Sequence, residues 1–299
     1  MQSQHPSPIV SQLSGMVVDI QLSCTRCGYE LKSLPAEGDC PECGEPIRFT
    51  IIDTVDPAAR RLPPIERPVA VGNSIVGVAL FLFFSVLCAA FVLLSKAPTQ
   101  LPIPHGIRTL NNPIWICVSS GLAVVSLCCL VPIMQMCRCG VIQGCRLGIA
   151  LAGSGVLLFA TVLGASRWVL LSGVDRGTVV TVLFDTLIPV VALAITFVGF
   201  RRLIPRIGQR SREFRFAQGS RQRMNDLLAA LIFVVIGRIC VFVSSHDSNL
   251  ATLGLIIMVL CMTLVLVGLL YLVRNTYWIR SALCSPPPSL SQLLRSKST

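Results

Sequence analysis

Six long apolar stretches dominate the C-terminal three-quarters of the chain and limit what it can fold into. Each has 19 to 24 residues, which at about 1.5 Å per residue lets a helix cross a hydrocarbon core of about 30 Å. They cover residues 75–94, 114–134, 147–166, 178–200, 227–245 and 250–273. Four of them contain no Asp, Glu, Lys or Arg, and a soluble domain would have to bury four such helices on all sides. The sequence therefore predicts an all-α polytopic membrane helix bundle with six transmembrane helices.

The composition supports this prediction and excludes two other classes of protein. Of 299 residues, 53% are hydrophobic and 13% are charged, whereas soluble domains carry roughly a quarter charged residues. The 14 cysteines are scattered mostly through apolar runs, which is unlike the disulfide framework of a small secreted domain. A single soluble domain and a secreted disulfide scaffold are both excluded.

The basic residues predict the orientation of the bundle, because Lys and Arg in short loops are retained on the cytoplasmic side. With a cytoplasmic N-terminus, 20 of the 25 basic residues fall on the inner side and four on the outer side. Residues 1–22 lack the basic start and the long apolar run of a secretory signal. We therefore expect a multi-pass protein of the cell (inner) membrane with both termini in the cytoplasm.

The remaining sequence divides into short segments around the membrane domain. Residues 1–21 are predicted to be a mobile tail, residues 22–52 a Cys-rich unit, and residues 53–74 a linker that proline keeps extended. The transmembrane domain covers residues 75–273, and residues 274–299 form a cytoplasmic tail.

The Cys-rich unit carries the strongest chemical signal. Cys24 and Cys27 form one C-x-x-C pair, and Cys40 and Cys43 form a second pair within C-P-E-C-G. Two such pairs at this separation are typical of a four-thiolate metal site, and a unit of about 30 residues needs metal to fold. Two disulfides are the alternative, but a cytoplasmic location disfavours them.

This unit resembles a zinc ribbon, and equally the short rubredoxin-like knuckle of some bacterial peroxide-reducing proteins. Joined to a helical membrane domain, it resembles uncharacterised bacterial polytopic membrane proteins with an N-terminal zinc-ribbon knuckle. The resemblance covers about 30 of the 299 residues and implies that the four cysteines are metal ligands in a small β ribbon. Zinc and iron both accept four thiolates. Zinc is the expected cofactor because the chain has no motif for a redox partner, and iron is the alternative.

Two charged residues lie inside the predicted spans. Asp185 in the fourth span and Arg238 in the fifth each lie about seven residues, or about 10 Å, below the outer face. Intramembrane charges are candidates for function, and we predict an intramembrane ion pair between them. Pro189 cannot donate a hydrogen bond to the Asp185 carbonyl and is expected to bend the fourth span. The pair either fixes helix register or serves a transport or relay site, and a water-accessible cavity at Asp185 would favour transport.

Residues 201–223 form a loop with eight Arg, no Lys and one acidic residue, interleaved with apolar residues. This pattern indicates a cytoplasmic anchor that contacts anionic lipid headgroups, and binding to nucleic acid is less favoured. Three further cysteines cluster in another inner loop: Cys137, Cys139 and Cys145. The simplest interpretation is that they have no specific role, and the alternatives are a second metal site or palmitoylation.

We expect no enzyme activity. The three histidines, His5, His105 and His246, all lie outside the spans, and general bases are therefore scarce. In the third span, Gly148 and Gly155 are interpreted as part of a small-residue face for close helix packing rather than as part of a protease motif.

The sequence favours an integral membrane protein whose cytoplasmic four-cysteine zinc ribbon is a structural interaction or regulatory module with a cytoplasmic protein partner. The alternatives are a small transporter that uses Asp185 and Arg238 and a rubredoxin-type iron electron-transfer protein. The oligomeric state, the transported species and the partner of the ribbon are not encoded in any recognisable motif.

Overall fold

The chain forms two compact units, a small one built from both chain ends and a large helical one. The small unit comprises Met1–Pro63 with Ser285–Thr299, and the large unit is Pro64–Cys284. The computed structural model describes residues 13, 15–55, 62, 65, 67–95, 113–138, 145–171, 183–216, 223–243, 248–285, 288 and 290–296.

The large unit consists of helices. In chain order they are α2 (Pro68–Ser95), α3 (Pro113–Cys129), α4 (Val131–Arg138), α5 (Cys145–Leu171), a π-helical turn (Leu183–Leu187), α6 (Ile188–Gly208), α7 (Arg212–Phe216), α8 (Met224–Val243) and α9 (Ser248–Cys284). Six stretches of the described chain are long and apolar enough to cross a membrane: Pro68–Ser95, Ile114–Gln135, Cys145–Ser166, Leu183–Gly208, Met224–Val243 and Asn249–Cys284. The predicted six-helix architecture is confirmed.

The first and last spanning helices are longer than the sequence predicted. Helix α2 begins at Pro68, inside the range assigned to an extended linker, because proline is tolerated in the first turn of a helix. Helix α9 continues for eleven residues beyond residue 273, into the range assigned to a cytoplasmic tail. Its 37 residues span about 55 Å, more than a hydrocarbon core of about 30 Å requires.

The spanning helices pack as a closed ring. Each helix contacts the next in the order α2, α3, α5, α6, α8, α9, and α9 returns to α2. Glycines allow the closest approaches, because a Cβ on Gly199 of α6 would lie 2.6 Å from the carbonyl oxygen of Gly148 on α5. The same holds between α8 and α9, where a Cβ on Gly237 would lie 2.7 Å from the carbonyl oxygen of Gly254. Gly148 belongs to the small-residue face that the sequence predicts for close packing.

The described residues of the small unit form four short elements. They are β1 (Met16–Val18), α1 (Ile47–Val55), α10 (Leu290–Leu293) and β2 (Leu294–Ser296). Strands β1 and β2 are antiparallel, with Val17 opposite Arg295. Strand β1 also hydrogen-bonds to the segment around residues 33–36, since Val18 N–H donates to the Leu34 carbonyl at 3.0 Å.

Both chain ends contribute to the core of the small unit, which differs from the predicted tails. Leu13 and Val18 are buried, although they lie in the range that the sequence assigns to a mobile tail. Leu293 and Leu294 are buried in the same core as Ile47, although they lie in the predicted C-terminal tail. The physical reason is that a unit this small cannot bury enough apolar surface from residues 22–52 alone.

Candidate functional site

The four predicted ligands lie on two hairpin knuckles with the same backbone geometry. In the first knuckle, Gly28 N–H donates to the Cys24 carbonyl at 2.9 Å and Cys24 N–H donates to the Tyr29 carbonyl at 2.8 Å. Sixteen residues later, Gly44 N–H donates to the Cys40 carbonyl and Cys40 N–H to the Glu45 carbonyl at the same two distances.

Glycine is required at the turn of each knuckle. Gly28 has φ of 80° and Gly44 has φ of 68°, values at which a side chain would be strained. These turns aim both thiols of a C-x-x-C pair in one direction. Outside the turns, an ion pair of 3.2 Å between Arg26 and Glu45 links the two knuckles at the surface.

The knuckles bring the four thiols together at a spacing that suits a metal ion. All four Sγ atoms lie within 4.8 Å of one another. Across the knuckles, the Cys24 and Cys43 Sγ atoms are 3.7 Å apart and the Cys27 and Cys40 Sγ atoms are 3.6 Å apart. A tetrahedral ion with metal–sulfur bonds of about 2.3 Å would place its ligands about 3.8 Å apart. The donor set therefore fits zinc, and tetrahedral iron equally.

Backbone donors polarise the cluster unevenly. The N–H groups of Cys27 and Arg26 lower the pKa of Cys24 to about 6, against 9.0 for a free thiol. For Cys27 the Tyr29 N–H is the largest influence and lowers the pKa, but desolvation and the neighbouring thiols together raise it to about 12. The Glu45 N–H is the largest influence on Cys43 and lowers its pKa, but the pKa is raised overall by desolvation and by the thiols of Cys24 and Cys40. One thiolate thus forms readily, and a cation is needed to stabilise further negative charge.

The burial of the cluster is asymmetric. Cys24 and Cys40 are buried, Cys43 is half-buried and Cys27 is exposed. Buried Cys24 and Cys40 pack into the same small core as Leu31 and Ile51, so a bound ion would be anchored from the core side. No disulfide joins any cysteine that the structure describes.

In the helical unit the structure brings Asp185 and Arg238 close enough for their charges to interact. Asp185 lies in the π-helical turn and Arg238 in α8, and these two elements are in contact. The Arg238 Nε atom is buried and makes no hydrogen bond. The ion pair itself stays a prediction.

Pro189 lies at the start of α6, directly after the π-helical turn. Because proline has no N–H, the α-helical bond to the Asp185 carbonyl cannot form, and the hydrogen-bond ladder departs from α-helical geometry where the sequence predicted a bend. Residues 178–182 of the predicted fourth span lie outside the described residues.

A cavity of about 60 Å³ reaches Asp185 in the helical unit. Each of the six spanning stretches contributes residues to its lining. Examples, one from each stretch in chain order, are Val86, Ile116, Phe159, Asp185, Leu231 and Met262. The lining is mostly apolar. A water-accessible cavity at Asp185 is the feature expected from the sequence to favour a transporter. The structure shows a mostly apolar cavity there, and transport stays a prediction.

The Arg-rich segment is mostly helical and less available to lipid than the sequence suggested. Arg201 and Arg202 are exposed on the last turns of α6. Of the apolar residues among the arginines, Leu203 and Phe214 are buried in the protein core, whereas Phe216 is 75% exposed. The expected contact of interleaved apolar residues with the bilayer surface is thus restricted mainly to Phe216, and contact of the arginines with anionic headgroups stays a prediction.

The second cysteine cluster finds no support in the part of the chain that the structure describes. Cys145 is fully buried in the helical core, where it behaves as a small apolar residue. Cys139 and the side chain of Cys137 lie outside the described residues. Among the described residues, the group of four thiols is the one that could hold a metal ion.

Sequence reasoning missed several polar residues that shape the bundle. Ser85 of α2 and Ser119 of α3 donate reciprocally, each hydroxyl to the backbone carbonyl of the other residue at 2.6 and 2.7 Å. Ser126 donates from α3 to the Val78 carbonyl of α2 at 3.0 Å. Serine hydrogen bonds between transmembrane helices are common, but serine within an apolar run does not reveal its partner.

No family model, curated protein or solved structure matches this chain. The fold and the site define a polytopic helix bundle with six candidate spans and a small unit that carries a four-thiol centre able to bind a metal ion.

Proposed function

We propose that this protein is an integral membrane protein whose four-cysteine unit binds one zinc ion and acts as an interaction or regulatory module for a cytoplasmic protein partner. The observation that carries this proposal is the convergence of four Sγ atoms within 4.8 Å. Zinc is preferred over iron because the sequence offers no motif for a second redox centre, and a structural four-thiolate zinc site needs none.

The metal would have a structural role in this unit. Its core is small, and a metal that binds the folded state alone stabilises that state. The pairing of β1 with β2 brings the two chain ends together in this unit, which supports placing both ends on the same side of the membrane. Six spans satisfy that requirement, and the distribution of basic residues favours the cytoplasm as this side.

The surface of the small unit supports a role in binding. Tyr29 is 43% exposed and Phe49 is 49% exposed, and the Arg48 guanidinium lies 5.3 Å from the centre of the Phe49 ring. Aromatic residues and arginine are enriched where proteins bind one another. Neither exposed ring is needed for the zinc site itself.

The test is partner capture by the full-length protein in membranes after chemical cross-linking. Four forms are compared: wild type, Cys24→Ser, Phe49→Ala, and Cys117→Ser as a control that removes an exposed thiol of the helical unit. We expect Cys24→Ser to lose zinc and partners, Phe49→Ala to keep zinc and lose partners, and the control to keep both. Identical partner sets in all four forms would remove the unit from consideration as a binding module.

The orientation has a separate test. A green fluorescent protein fused after Thr299 should fluoresce, since this reporter folds in the cytoplasm. A dark fusion that is present in the membrane at normal abundance would place the ends on the opposite side.

A further inference from the structure

We propose that the cavity of the helical unit is a binding site for a short alkylamine, with Asp185 as the counter-ion of its ammonium group. The site is distinct from the four-thiol centre and does not depend on the function proposed for that centre. The cavity reaches residues of every spanning helix, and a ligand there would therefore contact the whole ring.

The size and lining of the cavity define the apolar part of the ligand. A buried water needs about 10–15 Å³ of such space, and a cavity that binds benzene has about 150 Å³. The volume of about 60 Å³ therefore admits a ligand of a few heavy atoms, such as a short alkylamine. Phe159, Phe184 and Met262 are among the lining residues. Aromatic faces attract cations, and thioethers adapt to irregular apolar groups.

The charge of the lining selects the polar part of the ligand. Asp185 is the one ionisable side chain among the residues that line the cavity in the described structure. A carboxylate in an apolar site favours a cation with N–H donors, and such charged hydrogen bonds are the stronger kind. Arg238 does not line the cavity, and a carboxylate has enough lone pairs to serve a guanidinium and an ammonium group together.

Thr186 supplies an independent sign that this site accommodates a polar group. It lines the cavity next to Asp185, is 2% exposed, and its Oγ1 makes no hydrogen bond. Buried hydroxyls are nearly always hydrogen-bonded. An ammonium group that bridges the carboxylate and this hydroxyl would satisfy the hydroxyl, and the π-helical turn that carries the two residues is a frequent feature of functional sites.

Binding is tested with ethylamine on the full-length protein in lipid nanodiscs, by ligand-observed saturation-transfer NMR, with empty nanodiscs subtracted. Ethanol is the neutral probe of equal size. We expect saturable binding of ethylamine, and affinity for the alcohol lower by about tenfold or more, since a charged hydrogen bond is replaced by a neutral one. Equal affinity for both probes, or no saturable signal above the empty nanodiscs, would overturn the proposal.

Variants locate the site. Asp185→Asn should weaken ethylamine binding at least about tenfold and leave ethanol binding unchanged, and Ala89→Leu, which fills the cavity, should weaken the binding of both probes. Asp226→Asn is the matched control, because Asp226 is an exposed carboxylate in the first turn of α8. If Asp185→Asn fails to fold, the double variant with Arg238→Gln replaces it. Unchanged ethylamine binding in the Asp185 and Ala89 variants would overturn the assignment of the site.

Discussion

Leu293 offers the sharpest test of the idea that the C-terminus completes the metal unit. Its side chain is fully buried in the small core, next to the strand β2 that pairs with β1. Truncation of a fully buried leucine to alanine costs about 2–5 kcal/mol. We therefore expect Leu293→Ala to destabilise the small unit by about 3 kcal/mol, although the residue lies 250 positions beyond Cys43 in the sequence.

The loss should appear as weaker zinc binding, because folding of this unit is expected to depend on the metal. If the metal-free unit is unfolded, the whole loss of folding free energy appears as a loss of apparent affinity for zinc. A loss of about 3 kcal/mol then weakens zinc binding about a hundredfold. The measurement is a competition titration of the detergent-purified full-length protein against a chromogenic zinc chelator, with Cys24→Ser as the baseline for other thiols.

Arg295→Ala is the matched control in the same strand. Arg295 is exposed and forms a loose ion pair of 3.9 Å with Asp19, and an exposed pair of this kind is worth about 0–1 kcal/mol. This variant should stay within about fivefold of wild type. Zinc binding by Leu293→Ala as tight as that by Arg295→Ala would show that Leu293 does not stabilise the four-cysteine unit.

Three further predictions concern the helix ring and the thiol cluster. Gly199→Ala should destabilise the bundle by about 1–3 kcal/mol or more, which would appear as a lower melting temperature in detergent. Gly121→Ala is the control and should not lower the melting temperature, since a Cβ there meets nothing within 4 Å. Equal melting temperatures for the two variants would contradict the close packing of α5 and α6. Asp185→Asn should reduce the yield of folded protein, and the double variant with Arg238→Gln should restore the yield. Size-exclusion chromatography measures the yield of folded protein. A double variant with the same low yield as Asp185→Asn would argue against the ion pair. Zinc binding at about pH 7 should release about four protons, because the thiols of an unfolded metal-free unit have ordinary pKa values of about 8.5 and are protonated there. The measurement is calorimetry in buffers of different ionisation enthalpy. A release well below four would show that the metal-free unit keeps the folded geometry that lowers the pKa of Cys24 to about 6.

The six-helix architecture and the four-thiol cluster could be predicted because both follow from local patterns. Length and hydropathy alone define a span, so six spans were recognisable without any knowledge of their packing. The C-x-x-C-G spacing likewise fixes a local turn, and Gly28 and Gly44 adopt the positive φ that it requires. The convergence of the two pairs is the one non-local step, and the structure bears it out.

Features that depend on distant contacts could not be predicted. The pairing of Val17 with Arg295 joins opposite ends of the chain, and a three-residue strand carries too little pattern to reveal its partner. The burial of Phe214 against Gly208 is similar, because a phenylalanine among arginines is equally compatible with lipid and with the protein core. The cavity at Asp185 depends on how six helices meet, which no single helix encodes.

Elemental analysis is the decisive experiment for the proposal that four thiols from two knuckles hold one zinc ion in a membrane protein. Inductively coupled plasma mass spectrometry of the detergent-purified full-length protein should find about one zinc per chain, and Cys24→Ser or Cys40→Ser should lose it while Cys117→Ser keeps it. Protein that contains iron with a visible red colour, or equal zinc in wild type and both ligand variants, would contradict the account.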